Sequence, residues 1–148
     1  MGSPRPRLHH IALTVTDLDA SVGWYQKVFG LSFVAEIPHE GGVGKLLSDE
    51  VQELGIVLHR HDTNSGERFQ ETRTGLDHVG FVLSHREDLE EWQSHLEEQG
   101  VERADAADRP LTQSPIADEW YGSVLVFRDP DNIQLELYAP PEGAGAVP

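Results

Sequence analysis

Hydrophobic and polar positions alternate with period two in a pair of stretches that resemble each other. Leu8 to Thr16 reads LHHIALTVT, and Gly75 to Ser84 reads GLDHVGFVLS. In the first, Ile11, Leu13 and Val15 fall on one face of an extended chain and His10, Ala12 and Thr14 on the other. In the second, Val79, Phe81 and Leu83 oppose His78, Gly80 and Val82. Each stretch then gives way to a helical period. Leu18, Val22, Tyr25 and Phe29 recur at helical spacing within Asp17 to Gly30, and Trp24 and Val28 widen the apolar side. Asp17 or Asp19 supplies an N-cap, and Gly30 a left-handed stop. Leu89, Trp92 and Leu96 mark the buried stripe of a second helix ending near Gly100, with Ser84 and Glu87 as its capping box.

Strands follow both helices. Leu31 to Ile37, Lys45 to Ser48 and Leu54 to His61 read as strands after the first, with a turn around Gly41 and Gly42. In the last of these, Val57, His59 and His61 share the face opposite Ile56 and Leu58. After the second helix, Val101 to Ala104, Tyr121 to Phe127 and Ile133 to Tyr138 read as strands, and Asp129–Pro130–Asp131–Asn132 as a turn. The irregular connection from Arg103 to Glu119, with Pro110 and Pro115, suits either a substrate lid or an ordinary connection. The repeat predicts a flexible segment over 1–7, a βαβββ module over 8–63, a linker over 64–74, a second βαβββ module over 75–139 and a flexible tail over 140–148. The expected class is α+β, with the paired modules forming one curled, cleft-containing mixed sheet and the helices outside.

Composition narrows the partners. Lys plus Arg is 11 and Asp plus Glu 26, for a formal charge of -15. Such a surface repels phosphate backbones, so neither nucleic acid nor an anionic membrane is an expected partner. There are no cysteines, which removes disulfides, thiolate ligands and thiol nucleophiles. No apolar run approaches a membrane span, and MGSPRPRLHH lacks the apolar region of a secretory signal, so a cytoplasmic setting is expected. The Gly41–Gly42–Val43–Gly44 run lacks the spacing of a phosphate-cradling loop and reads as a turn.

The last strand repeats the alternation with a carboxylate: Ile133, Leu135 and Leu137 on one face, Gln134, Glu136 and Tyr138 on the other. A buried carboxylate needs a cation. Should both modules curl one sheet face around a pocket, His10, His78 and Glu136 converge there as two imidazoles and one oxygen anion. That donor set suits Fe2+, Mn2+, Zn2+ or Ni2+ better than Ca2+.

HHIALTVTDLDASVGWYQKVFGL (His9 to Leu31), GLDHVGFVL (Gly75 to Leu83) and FRDPDNIQLELY (Phe127 to Tyr138) together resemble the vicinal oxygen chelate superfamily. That group includes glyoxalases, extradiol dioxygenases, bleomycin-binding proteins and fosfomycin-modifying enzymes. The resemblance implies metal ligation by His10, His78 and Glu136 and a metalloenzyme that chelates a small substrate through two adjacent oxygens. It also implies a homodimer. Glyoxalase-type enzymes usually carry a carboxylate or amide ligand where this chain has Val57, so the resemblance leans toward dioxygenase chemistry. A glyoxalase-like lyase or isomerase, or a thiol transferase, is the alternative. His59, two residues after Val57, is the candidate acid–base group. Tyr121 or Tyr138 is the candidate for the pocket tyrosine of extradiol enzymes. A further alternative is a metal-independent antibiotic-binding protein, with Trp24, Trp120 and Tyr121 lining an aromatic cleft.

Overall fold

A computed structural model describes residues 2–143; Met1 and residues 144–148, the end of the expected tail, lie outside the described residues. The chain divides into two units, Met1–Gly66 and Glu67–Pro148. In the first, the order is β1 (Ile11–Thr14), α1 (Leu18–Phe29), β2 (Ser32–His39), β3 (Gly42–Ser48) and β4 (Gly55–His61). The Asp17 side chain accepts the Ala20 amide at 3.1 Å to start α1, and Gly30 ends it at φ 67°. Leu18, Ser21, Tyr25 and Val28 are the buried stripe of α1. With Leu13, Leu47, Ile56 and Leu58 they make a core, each large apolar side chain contributing roughly 1.5–3 kcal/mol on burial.

The second unit runs β5 (Val79–Val82), α2 (Arg86–Glu98), β6 (Glu102–Arg103), β7 (Thr112–Gln113), β8 (Ala117–Glu119), β9 (Gly122–Arg128) and β10 (Gln134–Ala139). The α2 cap lies one residue later than expected: the Asp88 carboxylate accepts the His85 amide at 2.9 Å. Leu89 and Leu96 of α2 pack with Val101, Leu125, Phe127, Leu135 and Leu137, all at 1% exposure or less. The connection expected to be irregular is pinned by two short strands. β7 and β8 both pair with β9, and the buried Gln113 amide donates to the Gln93 and Val101 carbonyls at 3.1 and 3.0 Å.

The single curled, cleft-containing sheet expected from the repeat does not form. The strands sort into two open sheets, β1-β4-β3-β2 and β5-β10-β9-β7-β6, with β8 beside β9. The reason is the pairing of each opening strand. β1 takes β4 of its own unit as a parallel neighbour, and β5 takes β10 in the same way. Each sheet therefore completes its ladder internally, with β1 and β2, and β5 and β6, as the edge strands among the described residues. β2 is one of those edges. Its register with β3 shifts between Phe33 and Ala35, it carries Pro38, and Phe33, Val34 and Ile37 are exposed along it.

Candidate functional site

In the second unit, alternation along β10 buries Leu135, Leu137 and Ala139 and leaves Glu136 and Tyr138 half-buried on the other face. Glu136 is in register with Gly80 of β5, where a Cβ would meet nothing within 4 Å. His78, just before β5, brings Nε2 to 2.9 Å from Glu136 Oε2. Its Nδ1 lies 2.7 Å from Asp77 Oδ1, and the Gln134 amide donates to the same Asp77 oxygen at 3.1 Å. The imidazole is thus flanked by a carboxylate at each nitrogen. A neutral ring has one N–H and satisfies only one of them. A cation beside Nε2 and Glu136 would answer the second carboxylate while Asp77 keeps the Nδ1 proton, an arrangement common among metal-bound histidines. The donor set therefore fits a divalent ion.

The turn before β10 fixes where Glu136 emerges. Asp129 Oδ1 accepts the amides of Asp131 and Ile133, both at 2.8 Å. The buried Arg128 donates to the Ala107 carbonyl at 2.7 Å and to both oxygens of Glu71 at 3.0 and 3.1 Å. Those side-chain hydrogen bonds from Arg128 are the main cause that holds the Glu71 carboxyl down at about 2. The tyrosines lie farther along the unit. Tyr138 donates its hydroxyl to the Tyr121 carbonyl at 2.7 Å, while the Tyr121 ring is exposed and set edge-on to Trp120.

In the first unit, His10 precedes β1, and its Nδ1 lies 2.8 Å from His9 Nδ1. Both rings are exposed. Val57 is buried, in register with Ala12 on β1 and Leu46 on β3, so that strand position offers no ligand or base. His59 is half-buried, with His39 Nε2 at 3.2 Å from its Nδ1. Burial and then the neighbouring His39, His61 and His10 hold His59 below the ordinary imidazole range. One ligand atom each from His39, His59 and His61 lie within 4.8 Å of one another, a grouping able to hold a metal ion.

Of the residues expected in the site, the structure brings His78 and Glu136 into contact and links Tyr138 to Tyr121. His10 and His59 belong to the first unit. Two participants were not expected from the sequence. Asp77 has only its place beside His78 as a signal. His39 has the hairpin register, which sets it opposite Gly42 and Gly42 opposite His61.

No helix among the described residues is long and apolar enough to cross a membrane. A glyoxylase/bleomycin resistance protein/dioxygenase domain from Frankia sp. EAN1pec is 30% identical in sequence. It covers 95% of this chain and 96% of its own, with a TM-score of 0.80. A glyoxalase family protein from Enterococcus faecalis is 22% identical over 89% of this chain and 96% of its own, with a TM-score of 0.70. At that identity the likeness concerns the fold alone. A curated relative, the putative ring-cleaving dioxygenase MhqA of Bacillus subtilis (strain 168), is 25% identical over 93% of this chain. The chain spans 42% of the length of that relative. With a family match over residues 7–137, the chain belongs to the Glyoxalase/Bleomycin resistance protein/Dioxygenase superfamily.

Proposed function

We propose that the protein is a divalent-metal-dependent enzyme that takes a small oxygenated organic substrate through two adjacent oxygens, with dioxygenase-like chemistry. The observation that carries this reading is the Asp77–His78–Glu136 relay, in which one imidazole is oriented by a carboxylate and presents its other nitrogen beside a second one. In the proposal His78 and Glu136 hold the ion, and His10, the matching histidine of the sequence repeat, is the third ligand. Fe2+, Mn2+, Zn2+ or Ni2+ suits two imidazoles and a carboxylate. Such an ion, when bound, polarises substrate oxygens and stabilises the charge that develops on them.

The chain's own groups have separate tasks. Asp77 keeps the proton on His78 Nδ1 and so fixes the ring. His59, depressed below the ordinary imidazole range, is neutral at pH 7 and able to take a proton from a substrate hydroxyl. The Tyr138 hydroxyl, having given its hydrogen to the Tyr121 carbonyl, keeps oxygen lone pairs with which to accept from substrate. Val57 supports the leaning away from glyoxalase chemistry, because a buried valine neither ligates nor moves a proton. The 25% identity to a putative ring-cleaving dioxygenase supports the choice of reaction. A cytoplasmic homodimer completes the proposal.

Elemental analysis of anaerobically purified protein, followed by oxygen uptake with a panel of catechols and hydroquinones, tests it. The expected result is bound iron and oxygen consumption that Glu136→Ala lowers by about 10³-fold or more. Zinc, nickel or manganese without oxygen uptake moves the reaction to a lyase, isomerase or thiol transfer. The exposed Trp120 beside Tyr121 favours one further reading, a metal-independent aromatic-ligand binder. Ligand binding that survives Glu136→Ala in metal-free protein would establish it and overturn the enzyme.

A further inference from the structure

We propose that His39, His59 and His61 form a second transition-metal site, for a Zn2+- or Cu2+-like ion, on the polar face of the first sheet. It does not rest on the ion proposed for His78 and Glu136, but it claims His59, which as a ligand gives up the acid–base role given it above. The site begins with the hairpin of β2 and β3. Glu40 and Gly41 make the turn, which sets His39 opposite Gly42; Gly42 is in turn opposite His61, and Gly44 opposite His59. Directly opposed residues share a sheet face, so three imidazoles from the strands flanking β3 lean over a lane of glycine.

The glycines are not explained by backbone conformation. In this hairpin Gly41 takes a positive φ, 82°; Gly42 and Gly44 do not. They are explained by space. A Cβ at Gly44 would stand 2.6 Å from His59 Cε1 and 2.9 Å from its Nδ1. A Cβ at Gly42 would stand 2.8 Å from His39 Cε1 and would also collide with the Arg60 carbonyl. Side chains at either position would push the rings apart. Their absence lets the rings approach, with centroids 5.2 Å apart for His39–His59 and His39–His61 and 5.8 Å for His59–His61.

Ring chemistry favours ligation as well. His39 Nδ1 lies 3.1 Å from the Glu40 carbonyl, which can only accept, so that nitrogen carries the hydrogen and Nε2 carries the lone pair. This carbonyl contact is a common orienting device for a metal-bound histidine. Without an ion that Nε2 accepts from His59 Nδ1 at 3.2 Å, and an ion would replace this hydrogen as His59 shifts it to its own Nε2. A tetrahedral ion with bonds of 2.0–2.1 Å needs ligand nitrogens about 3.3 Å apart. The three nitrogens, all within 4.8 Å, reach that spacing by small side-chain rotations, which His61 has freedom to make nearer solvent. A set of imidazoles selects Cu2+, Zn2+ or Ni2+ over Mg2+ and Ca2+, and leaves a coordination position open.

Tag-free full-length protein, stripped with EDTA, is titrated with ZnCl2 by calorimetry and with CuCl2 by electron paramagnetic resonance. His39→Ala, His61→Ala and Glu136→Ala are run beside it, each checked for folding by circular dichroism. The expected result is a zinc site whose affinity falls at least 100-fold in His39→Ala and in His61→Ala but is kept in Glu136→Ala. The copper spectrum shows nitrogen couplings that His61→Ala reduces. Gly44→Ala, which leaves every imidazole in place but crowds His59, weakens zinc by about 10-fold. Zinc affinity unchanged in both histidine variants, or lost entirely with Glu136→Ala, overturns the site. Should His39→Ala fail to fold, His61→Ala and Gly44→Ala decide by the same criteria. Failure of the reaction proposed for His78 and Glu136 leaves these outcomes untouched, because Glu136→Ala separates the two sites.

Discussion

The two units start from the same strand–helix pair, with the first strand in parallel register beside the last, and then furnish their polar faces in opposite ways. In the first, β2, β3 and β4 are eight, seven and seven residues long, and their shared face carries imidazoles beside glycines. In the second, β6 and β7 have shrunk to two residues each, and the unit is held by carboxylates with assigned donors. Glu71 meets Arg128, Asp129 meets two turn amides, and Asp77 meets His78 and Gln134, while Glu136 faces the other nitrogen of the same His78 ring and awaits the proposed cation. The contrast teaches that one supersecondary plan supports two electrostatic regimes. Imidazoles can crowd one another because each can shed its proton near neutrality, whereas fixed negative charges require fixed partners.

The largest effects test whether the apolar foundations are equal. Phe127→Ala in the second unit and Tyr25→Ala in the first each remove a side chain of 0% exposure. Each is expected to cost about 3–5 kcal/mol in urea denaturation and to lower Tm by on the order of 10 °C. A large loss in one and none in the other breaks the comparison at its base.

Acid sharpens it. Glu71 has its folded pKa depressed to about 2 from 4.5, so its contribution is complete above about pH 4.5 and disappears as pH falls through about 2. Thermal melts between pH 5 and pH 2 should therefore show a decline that Glu71→Gln flattens. At pH 7 that variant is expected to cost about 2 kcal/mol, by leaving the buried Arg128 without its partner. The cost is below that of a fully buried pair because the Glu71 side chain is 34% exposed and screened by water. A pH profile identical to wild type would detach the ion pair from the stability of the second unit.

The smallest effect concerns the first unit. In metal-free protein, His61→Ala should change stability by less than about 0.5 kcal/mol, as at other surface positions. That corresponds to a Tm shift of roughly 1–2 °C. A larger loss would make the imidazole lane part of the structural framework and erase the contrast with the carboxylates.

Much of this arrangement was legible in the sequence where periodicity and caps agree. The alternation of β1, β5 and β10 emerges as read, with the Gly30 stop and, of the two caps offered, Asp17. The stripe of α1 turns slightly, burying Leu18, Ser21, Tyr25 and Val28 and leaving Val22 and Phe29 half-buried. What was lost lay in register. A strand beginning at Lys45 hides the hairpin; β3 in fact begins at Gly42, because the chain pairs as soon as the Glu40–Gly41 turn is made. Those three added residues bring His39 into the group. Glycine has no strand propensity to announce such a start, and the space it leaves is visible only beside its neighbours. The sheet topology was misread for a related reason. Alternation reports which face a residue occupies and says nothing about which strand lies next to it, so two open sheets and one curled sheet carry the same pattern.

Strand β2 has a consequence for behaviour in concentrated solution. A free edge bearing Phe33, Val34 and Ile37 invites another polypeptide to extend the ladder, the first step toward fibrils. Here the shifted register between Phe33 and Ala35 interrupts the edge, and Pro38 withholds an amide hydrogen. An incoming strand finds greasy side chains with no continuous row of donors and acceptors. The edge is thereby left adhesive to surfaces but resistant to polymer growth, and a designer seeking longer shelf life would preserve the proline and the bulge before repainting the hydrophobics.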